Sequence, residues 1–411
     1  MKTAAWLRVR DRGAFIRLSG VLFLVYAATG LWAPLMSVYT RDLGATTAEI
    51  GLVLAVAQAV GLLSQYQWGR LSDWLGRRAP LVVLGAGGLC LAFLGSAAAD
   101  RAGWLFLTRG LEGAAMGAYT TGSLALIGDL LEDQAGRGRL MGTYRMFGSL
   151  SFAMTALLGG ALADWVGLRA PLLVAAVCYG LGCALSFGIR EPLAFRGPVP
   201  AIPADPGAAL PLDPLRRRAL WSFLALLFVW MLASGAVVAL WPVSMADQGF
   251  SRTATSGLWA LAALVEVPCM ILAGQLSDRF GRKQVLLFGI TSMAAVFLAY
   301  TLTASFGWLA AAQVLRGIAF ASFEAPALLS ITELGLRQQR GRLAGLYYSA
   351  SGGGSIAGAA LGGIAAQQVG MARMFQGVAL LMLATTAVVG VVMPRLRAVA
   401  AETPTPQQSR V

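Results

Sequence analysis

Apolar runs long enough to cross a lipid bilayer recur twelve times along these 411 residues. A helix spanning the hydrocarbon core needs about 20 predominantly apolar residues. Segments of that kind fall near 17–40, 48–68, 79–98, 103–127, 141–162 and 170–189, then near 219–245, 253–273, 284–303, 307–332, 343–366 and 374–393. Inside lipid every backbone N–H and C=O must bond within the protein, so only helices and closed barrels span. These runs lack the alternation of barrel strands. The expected fold is therefore an all-α polytopic membrane protein with twelve transmembrane helices. Composition agrees: 12% of residues are charged, against about 25% in soluble domains. A soluble enzyme, a disordered chain and a secreted disulfide scaffold are excluded. Lys2, Arg8, Arg10, Arg12 and Arg17 lead into the first run as in a signal peptide, but its length and the eleven later runs favour an uncleaved helix.

Rare residue types narrow the chemistry. Cys90, Cys178, Cys183 and Cys269 sit within apolar runs and read as small buried hydrophobes. There is no histidine, which excludes imidazole catalysis, His metal sites and imidazole proton relays. Proton transfer near neutral pH then falls to carboxylates, and no cofactor or metal is expected. The net charge of +13 does not point to nucleic acid, because no dense basic tract or aromatic-interleaved patch accompanies it. The expected partners are the bilayer, a small-molecule solute and protons, with the chain acting as a monomer.

The chain repeats itself. Between runs six and seven, residues 190–218 hold seven of the 16 prolines, which suits an extended linker. It separates an N-terminal bundle (1–189) from a C-terminal bundle (219–394), followed by a tail (395–411). Gly69-Arg70-Leu71-Ser72-Asp73-Trp74-Leu75-Gly76-Arg77 returns as Gly274-Gln275-Leu276-Ser277-Asp278-Arg279-Phe280-Gly281-Arg282, 205 positions later. Arg137-Gly138-Arg139-Leu140 returns as Arg340-Gly341-Arg342-Leu343, and Leu158-Gly159-Gly160 as Leu361-Gly362-Gly363, both shifted by 203. Arg109-Gly110 aligns with Arg316-Gly317 at a shift of 207. Two pseudo-symmetric six-helix bundles around a central pathway suit a transporter. With both termini cytoplasmic, inner segments carry 24 Lys and Arg and outer loops five. The positive-inside rule then predicts a multi-pass protein of the inner (cell) membrane with that orientation.

The doubled Gly-x-Leu-Ser-Asp-x-x-Gly-Arg-Arg/Lys loop resembles the signature of the major facilitator superfamily (MFS), and the resemblance extends over nearly the whole chain. It implies the MFS fold and gating roles for Gly69, Asp73, Gly76, Arg77 and Arg78, and for Gly274, Asp278, Gly281, Arg282 and Lys283. It also implies that Asp73 caps and pairs with the eleventh helix. Arg77 would engage an acid at the end of the fourth, either Asp129 or Glu132. Independently of the resemblance, Gly76 and Gly281 permit the positive φ of a tight turn.

Six ionisable residues lie within the apolar runs: Arg109, Glu112, Arg145, Glu266, Arg316 and Glu324. Facing lipid they would together cost about 15–20 kcal/mol on insertion scales. They must instead face one another or a wet cavity. A desolvated carboxylic acid holds its proton until water or a cation reaches it, which links protonation to alternating access. Glu324, Glu266 and Glu112 are the proton-coupling candidates, and Arg145, Arg109 and Arg316 the solute-binding candidates. Packing ion pairs are the competing role, above all for Arg109 and Glu112, which share one helix face. A snorkelling anchor is the competing role for Arg145.

Three of these positions resemble a narrower group, the lactose-permease-like sugar–proton symporters. Arg145-Met146-Phe147-Gly148 matches a stretch that carries a sugar-binding arginine, and Phe323-Glu324-Ala325-Pro326 matches the surroundings of a proton-coupling glutamate. Glu266 lies about a turn from a glutamate that couples sugar to proton. This chain has Ala321 where that group has a histidine, and lacks its arginine in the ninth helix. The arginine of Arg109-Gly110-Leu111-Glu112-Gly113 is also linked, by resemblance, to proton transfer in superfamily antiporters.

Gly352-Gly353-Gly354, with Gly358, Gly362 and Gly363, reads as a helix-packing surface. No strand precedes it and no Gly-Lys-Ser/Thr follows, so it is not an ATP-driving phosphate loop. Tyr26, Trp32, Tyr119, Trp230, Trp241 and Trp259 read as packing or interfacial residues. The expected function is proton-coupled transport of a small organic solute, a sugar or related polar compound, by alternating access. The alternative is a drug–proton antiporter exporting amphipathic compounds, although the fifth helix ends in Gly159-Gly160 without the Gly-Pro pair of such antiporters. A transport-inactive sensor is more remote. An enzyme is not expected.

Overall fold

The computed structural model describes residues 12–131, 137–189, 214–302, 305–333 and 340–393. Most of the proline-rich linker, the C-terminal tail and Glu132 lie outside them. The described residues form thirteen helices: α1 (Arg12–Trp32), α2 (Met36–Asp42), α3 (Thr47–Leu75), α4 (Ala79–Ala97), α5 (Ala102–Leu130), α6 (Arg137–Trp165), α7 (Arg169–Ser186), α8 (Pro214–Asp247), α9 (Arg252–Phe280), α10 (Arg282–Ala299), α11 (Phe306–Glu333), α12 (Arg340–Val369) and α13 (Met371–Val392). Ten are long and apolar enough to cross a membrane. The polar content of α5, with Arg109 and Glu112, and the glycines of α12 lower the hydropathy of two further long helices.

Two element boundaries differ from the sequence expectation. The first apolar run is two helices, because Pro34 lacks an N–H and its ring excludes the preceding turn's carbonyl. The chain turns at residues 33–35 and restarts as α2. The seventh helix begins at Pro214 rather than at 219, so Arg216, Arg217 and Arg218 are helical. Proline is accommodated in a first turn, where its missing donor costs nothing.

The helices gather into two compact units. In the first, α5 packs on α3 and α4, and α7 and α6 pack on α1. Residues Ala239–Ala260 belong to this unit. In the second, α10 packs on α11 and α13. The same contacts recur in both. Trp104 Nε1 donates to Gly95 O at 3.0 Å, and Trp308 Nε1 to Ala299 O at 2.9 Å. Gly85 lets the backbone of Tyr119 approach, as Gly289 does for Phe323. Gly113 lies against Ala57 O, and Gly317 against Ala262 O.

These pairs share a spacing of 204 in α4–α5 against α10–α11 and 205 in α3 against α9. The internal repeat is real, but one alignment made from sequence is a turn out. Gly317 corresponds to Gly113, not to Gly110. Arg109 therefore corresponds to Gln313, and Glu112 to Arg316.

Candidate functional site

Each unit buries a polar cluster. In the first, Arg109 and Glu112 form an ion pair along α5, at 4% and 5% exposure. Three residues apart on a helix, their side chains share a face. The Arg109 guanidinium also lies 4.9 Å from the centre of the Trp32 ring, a cation–π contact. Trp32 Nε1 donates to Tyr179 Oη at 3.2 Å, and Thr29 Oγ1 lies 3.2 Å from the same oxygen. Helices α1, α5 and α7 thus meet around one neutralised pair. Of the two roles weighed for Arg109 and Glu112, the geometry in this structure is that of mutual neutralisation.

In the second unit Glu266, Arg316 and Glu324 come together. Glu266 lies within electrostatic range of Arg316 and of Glu324. Arg316 Nη1 reaches Gln313 Oε1 at 3.4 Å, and Gln313 Nε2 donates to Tyr300 Oη at 3.0 Å. Glu324 stands beside Trp230, whose ring stacks on Phe323 with centroids 4.1 Å apart and planes 8° from parallel. Glu324 Oε1 and Trp230 Nε1 are buried; the two side chains lie within reach of each other, but neither atom completes a hydrogen bond of regular geometry. Both glutamates stand two residues before a helix-interior proline, Pro268 in α9 and Pro326 in α11. Such a proline removes the bond to the carbonyl four residues earlier and loosens the helix there. Arg145 stands apart from both clusters, exposed on α6.

The two signature loops turn on left-handed glycines, Gly76 at φ 59° and Gly281 at φ 97°. Arg78 Nε donates to Asp129 Oδ2 at 2.6 Å, while Glu132, the other acid expected to engage Arg77, lies outside the described residues. In the second loop Arg282 reaches Ser277 Oγ at 3.2 Å and Asp278 at 3.7 Å, and Lys283 donates to Met393 O at 2.6 Å. Asp73 and Asp278 are exposed. A Cβ added at Gly69 or Gly274 would meet no atom within 4 Å.

Sequence reasoning missed a polar cluster at the opposite end of the first unit. Asp164, at the end of α6, accepts from Arg252 N at 3.0 Å, Thr253 N at 2.8 Å and Thr253 Oγ1 at 2.7 Å, capping α9 from outside its own chain segment. Arg41 pairs with Asp247 nearby. A cavity of about 410 Å³ lies among Arg41, Asp42, Asp164 and Arg252. The signal available was the equal number of acids and bases in the loops assigned to the outer side. Among the described residues no group of three His, Cys, Asp or Glu side chains comes together to hold a metal.

Comparisons with known proteins agree with this architecture. The tetracycline resistance protein, class G, of Vibrio anguillarum is 36% identical over 343 residues, 80% of this chain and 84% of that protein. The maltose permease of Geobacillus stearothermophilus is 29% identical over 287 residues, 68% of each chain. The match to the uncharacterized MFS-type transporter YqjV of Bacillus subtilis is 30% identical and spans 41% of this chain and 40% of that protein. Among solved structures, the nucleoside transporter NupG superposes with a TM-score of 0.75 at 16% identity, covering 92% of this chain and 99% of that one. The MFS_1 like family matches residues 15–377. The chain belongs to that family, and with it to the major facilitator superfamily of secondary transporters.

Proposed function

We propose that this MFS protein couples proton movement to the transport of a small polar organic solute, with Glu324 as the central proton carrier and Glu266 as its partner. The observation that carries this reading is Glu324 Oε1, buried beside a stacked Trp230–Phe323 pair, with the Trp230 indole as its polar neighbour and no hydrogen bond of regular geometry. An acid with so few polar neighbours in an apolar wall is costly to ionise, and ionises when water or a cation reaches it. Arg316, within range of Glu266, is the cation at hand. Prolines two residues after each glutamate supply the local deformability that such a switch uses. The Arg109–Glu112 pair of the first unit is already neutralised and serves as a structural counterpart.

Several observations support solute and orientation. One relative is named a maltose permease and one structural neighbour a nucleoside transporter; both names describe polar, hydroxylated cargo. The asymmetry of 24 basic residues against five supports cytoplasmic termini and an inner-membrane location. The Gly-x-Leu-Ser-Asp loops would then be cytoplasmic gates, formed in part by Arg78–Asp129. A drug–proton antiporter is the second reading, favoured by the 36% identity to a tetracycline resistance protein.

Proteoliposomes under an imposed pH gradient separate the two. Solute accumulating in the direction of proton flow supports symport, and accumulation against it supports antiport. Glu324→Gln should retain fold and solute exchange while losing gradient-driven accumulation. Unchanged accumulation in that variant would remove Glu324 from the mechanism.

A further inference from the structure

Gln313 of α11 is a fully buried amide, at 0% exposure, three residues before Arg316 and on the same helix face. An arginine has only donors to offer, so the amide oxygen is the atom that faces its guanidinium. The amide nitrogen then donates elsewhere. Arg316 Nη1 reaches Gln313 Oε1 at 3.4 Å, and Gln313 Nε2 donates to Tyr300 Oη at 3.0 Å. Tyr300, at the end of α10, is itself buried and lies against Phe297 and, from α13, Phe375, with ring centroids 6.3 Å and 6.4 Å away. The packed aromatic core of the second unit thus fixes a phenol, the phenol fixes an amide, and the amide faces one guanidinium.

Burying an amide is costly unless its polar atoms are bonded, and an apolar side chain of similar length would fill the space without that cost. A carboxylate there would close on Arg316, as Glu112 closes on Arg109 in the first unit, with the order of the charges reversed. The amide does neither. A neutral acceptor holds a guanidinium less tightly than a carboxylate does, so it aligns the side chain and leaves the charge to act further afield. Arg316 lies within electrostatic range of Glu266 of α9 and of Tyr300. Glu324 lies within range of Glu266 and of Tyr347 of α12. Among these groups Arg316 is the cation.

We infer that Gln313, anchored by Tyr300, is a positioning residue for proton coupling, which holds the Arg316 guanidinium toward Glu266 without neutralising it. The inference deepens the transport reading above and rests on it. It gives a role to the neutral amide that stands where the first unit has Arg109.

The test needs no solute. Infrared difference spectra of purified full-length protein follow the C=O band of protonated carboxyl groups through a pH titration. The contributions of Glu266 and Glu324 are the differences between each protein and the same protein carrying Glu266→Gln or Glu324→Gln. Gln313→Glu should draw Arg316 into a pair along α11. The two glutamates should then hold their proton down to a proton concentration about tenfold lower than in the wild type, because a nearby cation that favoured the carboxylate has been withdrawn. Gln313→Met and Tyr300→Phe keep the bulk and loosen the guanidinium, and each should shift the midpoint the same way by about threefold, the worth of one net hydrogen bond. Thermal unfolding shows which variants fold, and the two milder substitutions suffice where Gln313→Glu does not fold.

A midpoint that stays at the wild-type value in the folded variants overturns the inference. So does an opposite shift in Gln313→Met, which would mean that the amide holds Arg316 away from Glu266. The transport reading fails separately. Absence of any Glu324 band across the titration removes the proton carrier, and the positioning role with it. A Glu324 band that titrates with a midpoint indifferent to Gln313 and Tyr300 removes the positioning role and leaves the carrier.

Discussion

Arg316 of α11 stands at the position that Glu112 holds in α5. The register is set by glycines that admit a neighbouring backbone, Gly113 against Ala57 and Gly317 against Ala262, and by the matching indole hydrogen bonds of Trp104 and Trp308. One scaffold position therefore carries opposite charge in the two units. In the first, the residue a turn earlier is Arg109, and the pair closes on itself. In the second, that place is Gln313, a neutral amide. Arg316 is left to act electrostatically on Glu266. A change of two residues on one helical turn separates a structural ion pair from a candidate coupling site.

The buried pair should behave as a unit. Glu112→Gln leaves the Arg109 charge in a site of 4% exposure, and breaking a buried pair from one side costs about 3–5 kcal/mol. Arg109→Gln should cost a similar amount. The double substitution should recover most of the loss, because neither charge then remains uncompensated. Thermal unfolding in detergent of the two single variants and the double variant measures this. Additive losses would mean that the two side chains do not depend on each other.

Glycines of the repeat divide into two kinds. A Cβ at Gly317 would fall 2.6 Å from Ala262 O and 2.9 Å from Val265 Cβ, and overpacking of this kind costs about 1–3 kcal/mol. Gly317→Ala should lower thermal stability accordingly. Gly69→Ala and Gly274→Ala meet nothing within 4 Å and replace glycine in a helix, which favours folding by up to about 1 kcal/mol. Both should be at least as stable as the wild type. Impaired transport in a stable Gly69→Ala variant would then report a gating role free of any folding defect.

Much of this fold was legible because bilayer thickness sets a length that apolar runs must meet, and the doubled signature loop revealed the repeat. What escaped was set by smaller geometric facts. Pro34 interrupts an apolar run that hydropathy alone reads as continuous, giving α1 and α2. The dipeptide Arg316-Gly317 copies Arg109-Gly110 in letters, but backbone contact pairs Gly317 with Gly113, one helical turn away. Asp164 and Thr253 lie 89 positions apart, and no local pattern announces that one caps the other's helix. The six charges within apolar runs were found by their cost in lipid, whereas which of them come together required the register of the helices.

The cap supplied by Asp164 should be measurable. Its carboxylate accepts from two backbone N–H groups in the first turn of α9, where the helix dipole also favours a negative charge. Asp164→Ala removes a cap worth about 0.5–2 kcal/mol. Hydrogen exchange at the amides of Arg252 and Thr253 should accelerate by about tenfold, while amides in the middle of α9 stay protected. Unchanged exchange at those two amides would show that water replaces the carboxylate at no cost.

The signature-loop pairing yields a test of which arginine acts. Resemblance to the superfamily signature pairs Arg77 with Asp129 or Glu132, and in the structure Asp129 is held by Arg78. The pair is partly exposed, Arg78 at 21% and Asp129 at 42%, so its contribution to stability is about 0–1 kcal/mol. A conformational equilibrium is sensitive to energies of that size, since 1.4 kcal/mol changes a population ratio tenfold. Arg78→Asp and Asp129→Arg should each impair transport more than they lower thermal stability. The combined exchange should restore transport, because the attraction is recreated with the charges reversed. Exchange between Arg77 and Asp129 should not restore it. Rescue by the Arg77 exchange and none by that of Arg78 would return the role to the residue the signature named. The pairing seen here would then not be the one that governs the cycle.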